Sequence, residues 1–400
     1  MKPPTLVISI NASWNIVNFR VGLIHGLQQA GYRVVALAPR DPWTDRLGEL
    51  GVEFHPIVMD RKGLSPVSDL RLLWRYRRAL RRLRPDAFLG YTAKPNVWGS
   101  LAAQSLGIPV INNVSGLGTA FIRGGWLGRL VAALYRLAFR RSATVFFQNG
   151  DDRDLFVARR IVAPGKARLL PGSGIDIARF RPAAAIAAKG RPFAFLLIAR
   201  LLRDKGVGEY VEAARRVRRE APDTRFRLLG FLDADNRTAF SRAELDAWIC
   251  EGLIDYLGHG DDVRPAIADA DCVVLPSYRE GLPRTLLEAA AMGKPLIATD
   301  VPGCRQVARH GVNGLTCRVR DAGSLAAAML EMLRAPSARR AGWGAAARAM
   351  VEAEYDERIV IERYLAALGT ALGGPNPPRN GAPRSSTAPS SGERRRAARP

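Results

Sequence analysis

Residues 276–293 read PSYREGLPRTLLEAAAMG, and the fold follows from how that stretch divides. The apolar run that leads into it, CVVLP (272–276), reads as a buried strand. A turn then carries Arg279, Glu280 and Gly281, and a helix is expected to open near Pro283, where a missing N–H costs nothing. Glu280 thus belongs to the loop at the helix mouth, and Glu288 lies more than a turn inside. A helix N-terminus at the carboxyl end of a strand offers free N–H groups and a positive dipole end, which suits a diphosphate. A carboxylate beside that anion is repelled unless it points elsewhere. The hydroxyl-rich parts of a nucleotide sugar, its hexose and its ribose, are the partners that such carboxylates fit.

The same grammar repeats on both sides. TLVISI (5–10), RVVALA (33–38), EFHPIV (53–58), DAFLGY (86–91), PVINNV (109–114) and ATVFFQN (143–149) read as strands, with helical patterns near 18–30, 66–83, 94–106 and 126–141. In the second half the strands are FAFLLIAR (193–200), RFRLLG (225–230), IDYLGH (254–259), CVVLPS (272–277), PLIATD (295–300) and GLTCRV (314–319). Helices are expected there at 242–251, 324–334 and 337–371, the first opening with a capping box from Ser241 to Glu244. Near-continuous hydrophobicity suits strands covered on both faces, hence parallel sheets. Two such halves imply an α/β chain of two doubly wound Rossmann-like domains facing a central cleft. The boundaries read as 1–178, an Ala/Pro-rich linker over 179–192, and 193–354. A helix over 355–372 is read as crossing back to the first domain, and the Pro/Gly/Ser/Arg-rich 373–400 as a disordered basic tail.

Net charge is +23, from 60 Lys+Arg against 37 Asp+Glu. Residues 1–175 carry +15, residues 176–372 carry +3 and the tail carries +5, so the first half and the tail hold the excess. A basic face on one domain suits a membrane surface, an anionic acceptor or nucleic acid. Cys250, Cys272, Cys304 and Cys317 have no C-x-x-C spacing, which points to reduced structural thiols of a cytoplasmic protein. MKPPTLVISI is too short and wrongly flanked for a signal peptide, and the apolar run 126–139 is broken by Arg129 and Arg136. Membrane contact is therefore expected to be peripheral. The dinucleotide fingerprint fails at Ile177 in GSGIDI and at Phe121 in GLGTAF, and no P-loop motif is present.

The pair Glu280-x7-Glu288 resembles the signature of retaining glycosyltransferases with the GT-B fold, family 4 in particular. The resemblance runs over about residues 5–360 and is densest between 193 and 318. Arg200 and Lys205, after the strand FAFLLIAR, resemble the R-x4-K element that contacts the donor diphosphate. Two fixed cations there neutralise a departing diphosphate. The resemblance implies that Glu280 meets hydroxyls of the donor sugar and that Glu288 accepts from ribose hydroxyls. The N–H groups of Gly281 and Leu282 would meet phosphate or sugar, and Gly258 and His259 would lie against the base. It also puts a flexible loop against the donor at INASWNIVNFR (10–20), where Asn15 and Asn18 offer polar contacts or caps for the helix 18–30. TAKPN (92–96) and VSGLGTAF (114–121) resemble T-P-K-A-G and V-H-G-L-G-F segments of capsule and lipid-linked-oligosaccharide members, so Lys94 is expected at an acceptor diphosphate. Ser115 stands where many relatives have His, a departure that fits a subgroup acting on polyprenyl-diphosphate sugars.

The implied mechanism is retaining transfer with no protein nucleophile. The departing diphosphate stays beside the anomeric carbon and helps deprotonate the incoming hydroxyl on the same face. Catalytic weight falls on Arg200, Lys205 and Glu280, and no cofactor or metal is expected; the Asp-x-Asp of DADN (233–236) reads as incidental. The expected donor is a UDP-linked hexose or N-acetylhexosamine, and the expected acceptor a polyprenyl-diphosphate-linked glycan in surface polysaccharide synthesis. Two basic amphipathic stretches, 69–86 with Arg71, Arg75, Arg78 and Arg82, and 124–141, suit docking on the anionic inner face of a bacterial membrane. No nucleic-acid partner is expected. The rival readings are a nucleotide-sugar 2-epimerase of the same fold, for which the first domain supplies no matching acid/base set, and a non-catalytic basic polyanion-binding protein.

Overall fold

The computed structural model describes residues 2–60, 65–116, 125–182, 191–233, 236 and 238–373. Residues 117–121 of VSGLGTAF, residues 183–190 of the expected linker, Asp235 of DADN and the tail beyond 373 lie outside the described residues.

Seven strands form one sheet: β1 (Thr5–Ser9), β2 (Arg33–Ala38), β3 (Glu53–Pro56), β4 (Ala87–Tyr91), β5 (Val110–Val114), β6 (Thr144–Phe147) and β7 (Ala167–Leu169). Their order is β3-β2-β1-β4-β5-β6-β7. Six more form the other sheet: β8 (Ala194–Ile198), β9 (Arg225–Leu229), β10 (Asp255–Tyr256), β11 (Cys272–Leu275), β12 (Leu296–Thr299) and β13 (Gly314–Cys317). They run β10-β9-β8-β11-β12-β13, and pairing is parallel in both sheets. β1, β4, β5, β8 and β11 are buried at every position, as strands covered on both faces must be. β7 is the strand that the sequence pattern does not reveal, because two of its three residues are exposed.

Alternation along a strand feeds two separate cores. Val7, Val35 and Leu37 pack with Leu72, Tyr76 and Leu80 of the Pro66–Leu83 helix. Leu6, Ile8, Val34 and Ala36 pack on the opposite face with Leu23, Ile24 and Leu27 of the Val21–Gln29 helix. That second core also takes Val360, Tyr364 and Leu368 from the Glu357–Leu372 helix. Gly26 permits the approach, since a Cβ there would lie 2.5 Å from Ile361 Cγ2.

Two helical expectations need correction. The pattern 337–371 divides into two helices, Ser337–Glu354 and Glu357–Leu372, the second of them the helix expected over 355–372. Ile175 N donates to Tyr355 O at 2.8 Å, and the Asp356 side chain accepts from Arg358 N, so the break falls where the chain leaves the core of the second sheet for that of the first. Near the N-terminus the helix starts earlier than 18. Ser13–Phe19 and Val21–Gln29 are separate helices broken at Arg20. Asp41, from the loop after β2, accepts from Ser13 N at 2.7 Å and Trp14 N at 3.4 Å, supplying acceptors for the orphan N–H groups of the helix start. Residues 13–19 are therefore helical where a flexible loop was expected, and Asn15 and Asn18 sit inside the helix instead of capping one.

Candidate functional site

Both sheets reverse strand order at their centre, between β1 and β4 and between β8 and β11. Crossovers leaving in opposite directions open a crevice at the carboxyl ends of those strands. In the second sheet Arg200 follows β8, Lys205 closes the Arg203–Lys205 turn, Glu280 lies in the loop after β11, and Glu288 is in the Arg284–Ala291 helix. Lys205 Nζ donates to Glu280 Oε1 at 2.5 Å. Gly206, at φ +73°, makes this possible: a Cβ there would stand 2.1 Å from the Pro276 carbonyl oxygen, so only glycine lets the turn reach the β11 loop. Glu280 N donates to Pro302 O at 3.2 Å, which fixes the carboxylate's own backbone.

Glu288 is 7% exposed. Burial pushes its carboxyl above the usual range, while Arg284, one turn earlier, and Arg179 pull it back, and Asp262 adds to the rise. Arg284 Nε donates to Glu288 Oε1 at 2.8 Å. The helix has no side-chain cap, and Pro283 precedes its first residue. Arg200 pairs with Asp233 at 3.1 Å through a side chain that is 48% exposed, a cation at the rim. Gly258, at φ +72°, accepts from Gly230 N at 2.8 Å, and His259 is exposed beside it.

The first half closes over this surface. Asn149 Nδ2 donates to Gly281 O at 2.8 Å, and a Cβ on Gly281 would lie 2.0 Å from the Ser115 carbonyl oxygen. Leu282 packs against Gly172. Arg279 pairs with Asp152, whose carboxyl is raised by burial, and Gln306 Nε2 donates to Asp151 Oδ2 at 3.0 Å. Arg284 Nη1 donates to Ser173 Oγ at 3.0 Å, with its guanidinium 5.2 Å from the Phe19 ring centroid. Lys205, Glu280, Gly281, Leu282, Glu288 and Ser115 are thus brought to one cleft. The roles of Arg284, Asn149, Asp152 and Ser173 were not read from the sequence, although Asn149 followed by Gly-Asp-Asp is a legible helix cap, with Asn149 Oδ1 accepting from Asp152 N at 2.8 Å.

The remaining candidates are placed differently. Lys94 Nζ lies 3.0 Å from Asp69 Oδ1, and the two side chains are only 15% and 6% exposed. The expected acceptor cation is committed to the Pro66–Leu83 helix. Asn15 Nδ2 donates to Asn11 Oδ1 at 3.4 Å and Asn18 Nδ2 to Trp14 O at 2.8 Å, both local bonds. None of these three is hydrogen-bonded or ion-paired to Lys205, Glu280 or Glu288. Arg20, which the sequence did not single out, is buried 4.5 Å above the Tyr91 ring, and its Nε and Nη1 have no partner among the described residues. Among the described residues no three His, Cys, Asp or Glu side chains converge as a metal site, and no helix is long and apolar enough to cross a membrane. All four cysteines are free.

Comparison with known proteins adds the following. A family model described as glycosyl transferases group 1 matches residues 192–335, and one described as a glycosyl transferase 4-like domain matches residues 18–172. The N,N'-diacetylbacillosaminyl-diphospho-undecaprenol alpha-1,3-N-acetylgalactosaminyltransferase of Campylobacter jejuni is 29% identical over 375 residues, 89% of this chain and 96% of that one. The UDP-Gal:alpha-D-GlcNAc-diphosphoundecaprenol alpha-1,3-galactosyltransferase of Escherichia coli is 22% identical over 78% of this chain and 85% of its own. Among solved structures, Anabaena Alr3699/HepE in complex with UDP and glucose superposes with TM-score 0.76 at 17% identity, covering 92% of this chain and all of that one. Sucrose-phosphate synthase from Thermosynechococcus elongatus gives 0.74 at 17% identity, covering 90% and 97%. At that identity the likeness is one of fold.

Proposed function

This chain is a glycosyltransferase of group 1 with the GT-B fold, and from that premise we propose that it is a retaining, metal-independent enzyme extending a lipid-linked glycan. The donor is a UDP-linked hexose or N-acetylhexosamine, and the acceptor a polyprenyl-diphosphate-linked sugar. The observation that carries this reading is the convergence of the Lys205–Glu280 pair and the buried Glu288 at the reversal point of the second sheet. Support for the acceptor comes from the Campylobacter and Escherichia relatives, both named for transfer to diphospho-undecaprenol sugars. The Anabaena structure, solved with UDP and glucose, supports the donor class. Residues 1–178 then hold the acceptor and 193–354 the donor, with 355–372 strapping the two together.

In this reading the C1–O bond to the diphosphate breaks while the acceptor oxygen bonds to C1 on the same face, its proton passing to the departing diphosphate. Lys205 exchanges Glu280 for the diphosphate, Arg200 swings in from Asp233, and the N–H groups of Gly281 and Leu282 add the helix mouth. Glu280, freed from Lys205, accepts from donor-sugar hydroxyls, and Glu288 from the ribose. Gly258 and His259 border the base. The enzyme works at the cytoplasmic face of the membrane, where Trp74 (60% exposed) and Trp126 (72% exposed), with the exposed Arg71, Arg78 and Arg82, suit an anionic lipid surface.

The test is transfer from a panel of UDP-sugars to an undecaprenyl-diphosphate N-acetylhexosamine, with the product's anomeric configuration read by NMR. An α-linked product from an α-linked donor, formed equally with EDTA, is expected. A β-linked product contradicts retention, and a rate abolished by EDTA contradicts metal independence.

A further inference from the structure

Arg284 joins the carboxylate end of the site to the opposite wall, and the Glu-x7-Glu motif gives it no task. It is the first residue of the Arg284–Ala291 helix. There a cation opposes the positive dipole end, so helix stability alone disfavours arginine. Its fork is nonetheless held from three sides: Nε by Glu288 at 2.8 Å, Nη1 by Ser173 Oγ at 3.0 Å, and the plane beside Phe19 at 5.2 Å from the ring centroid. Ser173 and Phe19 both belong to the first half of the chain.

Glu288 needs such a partner. A carboxylate this deeply buried takes up a proton unless a cation or several donors hold it ionised. Arg284 on its own helix and Arg179 on the segment after β7 favour the Glu288 anion, and Asp262, before the Arg264–Ala268 helix, disfavours it. Arg284 also acts on the half-buried Glu357 of the Glu357–Leu372 helix. A protonated carboxyl donates from one oxygen and cannot serve two hydroxyl donors as the ion does.

Resting on the donor-site reading above, we propose that Arg284 is the positioning residue of that site, keeping Glu288 an ionised and oriented acceptor for the ribose diol of the nucleotide. Because two of its three supports come from the first half, this setting is complete only when that half lies over the helix.

The experiment is calorimetric titration with UDP and with 2′-deoxy-UDP between pH 5.5 and 8.5. The wild type, Arg284→Gln, Arg284→Lys and Glu288→Gln are compared, each checked for a cooperative melt. The ratio of the two affinities reports the diol contact, and it cancels the titration of the nucleotide's own phosphate. Wild type is expected to prefer UDP by about tenfold or more, as a hydrogen bond to a charged acceptor warrants, with little change across the range. In Arg284→Gln the ratio falls toward one at the acid end and recovers as pH rises and Glu288 ionises. Arg284→Lys, which keeps the charge, discriminates at pH 7 and above. An Arg284→Gln ratio that matches wild type at every pH, or is lost equally at every pH, overturns the proposal. So does a folded Arg284→Lys that discriminates no better than Glu288→Gln. Wild-type protein that binds neither nucleotide removes the donor-site reading itself. Wild-type binding that Glu288→Gln alone disturbs keeps that reading and removes only the role of Arg284.

Discussion

The two walls of the cleft share one strand order, to which the first adds β7, and treat charge in opposite ways. On the second-sheet wall Lys205 is paired with Glu280 at the mouth of one helix and Arg284 with Glu288 along its first turn, with Arg200 half exposed at the rim. On the first-sheet wall Lys94 is locked to Asp69, the Ser13–Phe19 helix start is filled by Asp41, and Arg20 lies on Tyr91 with no ion pair to a carboxylate among the described residues. In the proposed function a cation–carboxylate pair at the open end of the second sheet exchanges partners when the donor arrives, the diphosphate taking the cation and hydroxyls the carboxylate. The Lys94–Asp69 pair, the most buried of the three, joins the segment after β4 to the Pro66–Leu83 helix, and removing one partner leaves the other charge uncompensated. On the proposed reading, the same residue types serve chemistry on one wall and architecture on the other.

The sharpest way to break this contrast is Lys94→Met. Removing one partner of a buried pair costs about 3–5 kcal/mol, so denaturant unfolding should show a loss of that order with UDP affinity unchanged. Unaltered stability with a raised acceptor KM would instead put Lys94 on a ligand and erase the difference between the walls. Next in size is Lys205→Ala, which in the proposed function removes a cation from the departing diphosphate and is expected to lower kcat/KM by about 10²–10³-fold. A loss under tenfold in the transfer assay would move that burden to Arg200. Arg200→Ala itself should cost less, about tenfold, because its half-exposed guanidinium works through solvent and salt; a steeper loss at high salt would argue against that. Smallest is His259→Ala. Contact with the base through backbone at this exposed position predicts a nucleotide Kd within about twofold of wild type.

The contrast also explains what could be read in advance. The strands, the Pro66–Leu83 helix and the Ser241–Glu244 capping box follow from neighbours a few residues apart, and they stand where the pattern puts them. The Glu-x7-Glu stretch was legible for the same reason: strand, turn and helix lie in one continuous segment, which sets the two glutamates' spacing. Lys94 meeting Asp69, Asp41 seating the Ser13 helix and Ser173 meeting Arg284 join residues far apart in sequence. No local pattern carries them. The break at Tyr355–Asp356 likewise depends on Ile175, and β7 on its neighbour β6.

The donor site is tested by thermal unfolding of the wild type and Glu288→Ala against UDP, GDP, ADP and their sugar conjugates, with and without EDTA. Uridine nucleotides are expected to raise Tm, with a shift that survives EDTA and shrinks in Glu288→Ala as the diol contact is lost. A well-folded protein whose Tm is unmoved by any nucleotide at millimolar concentration would contradict the donor-site reading.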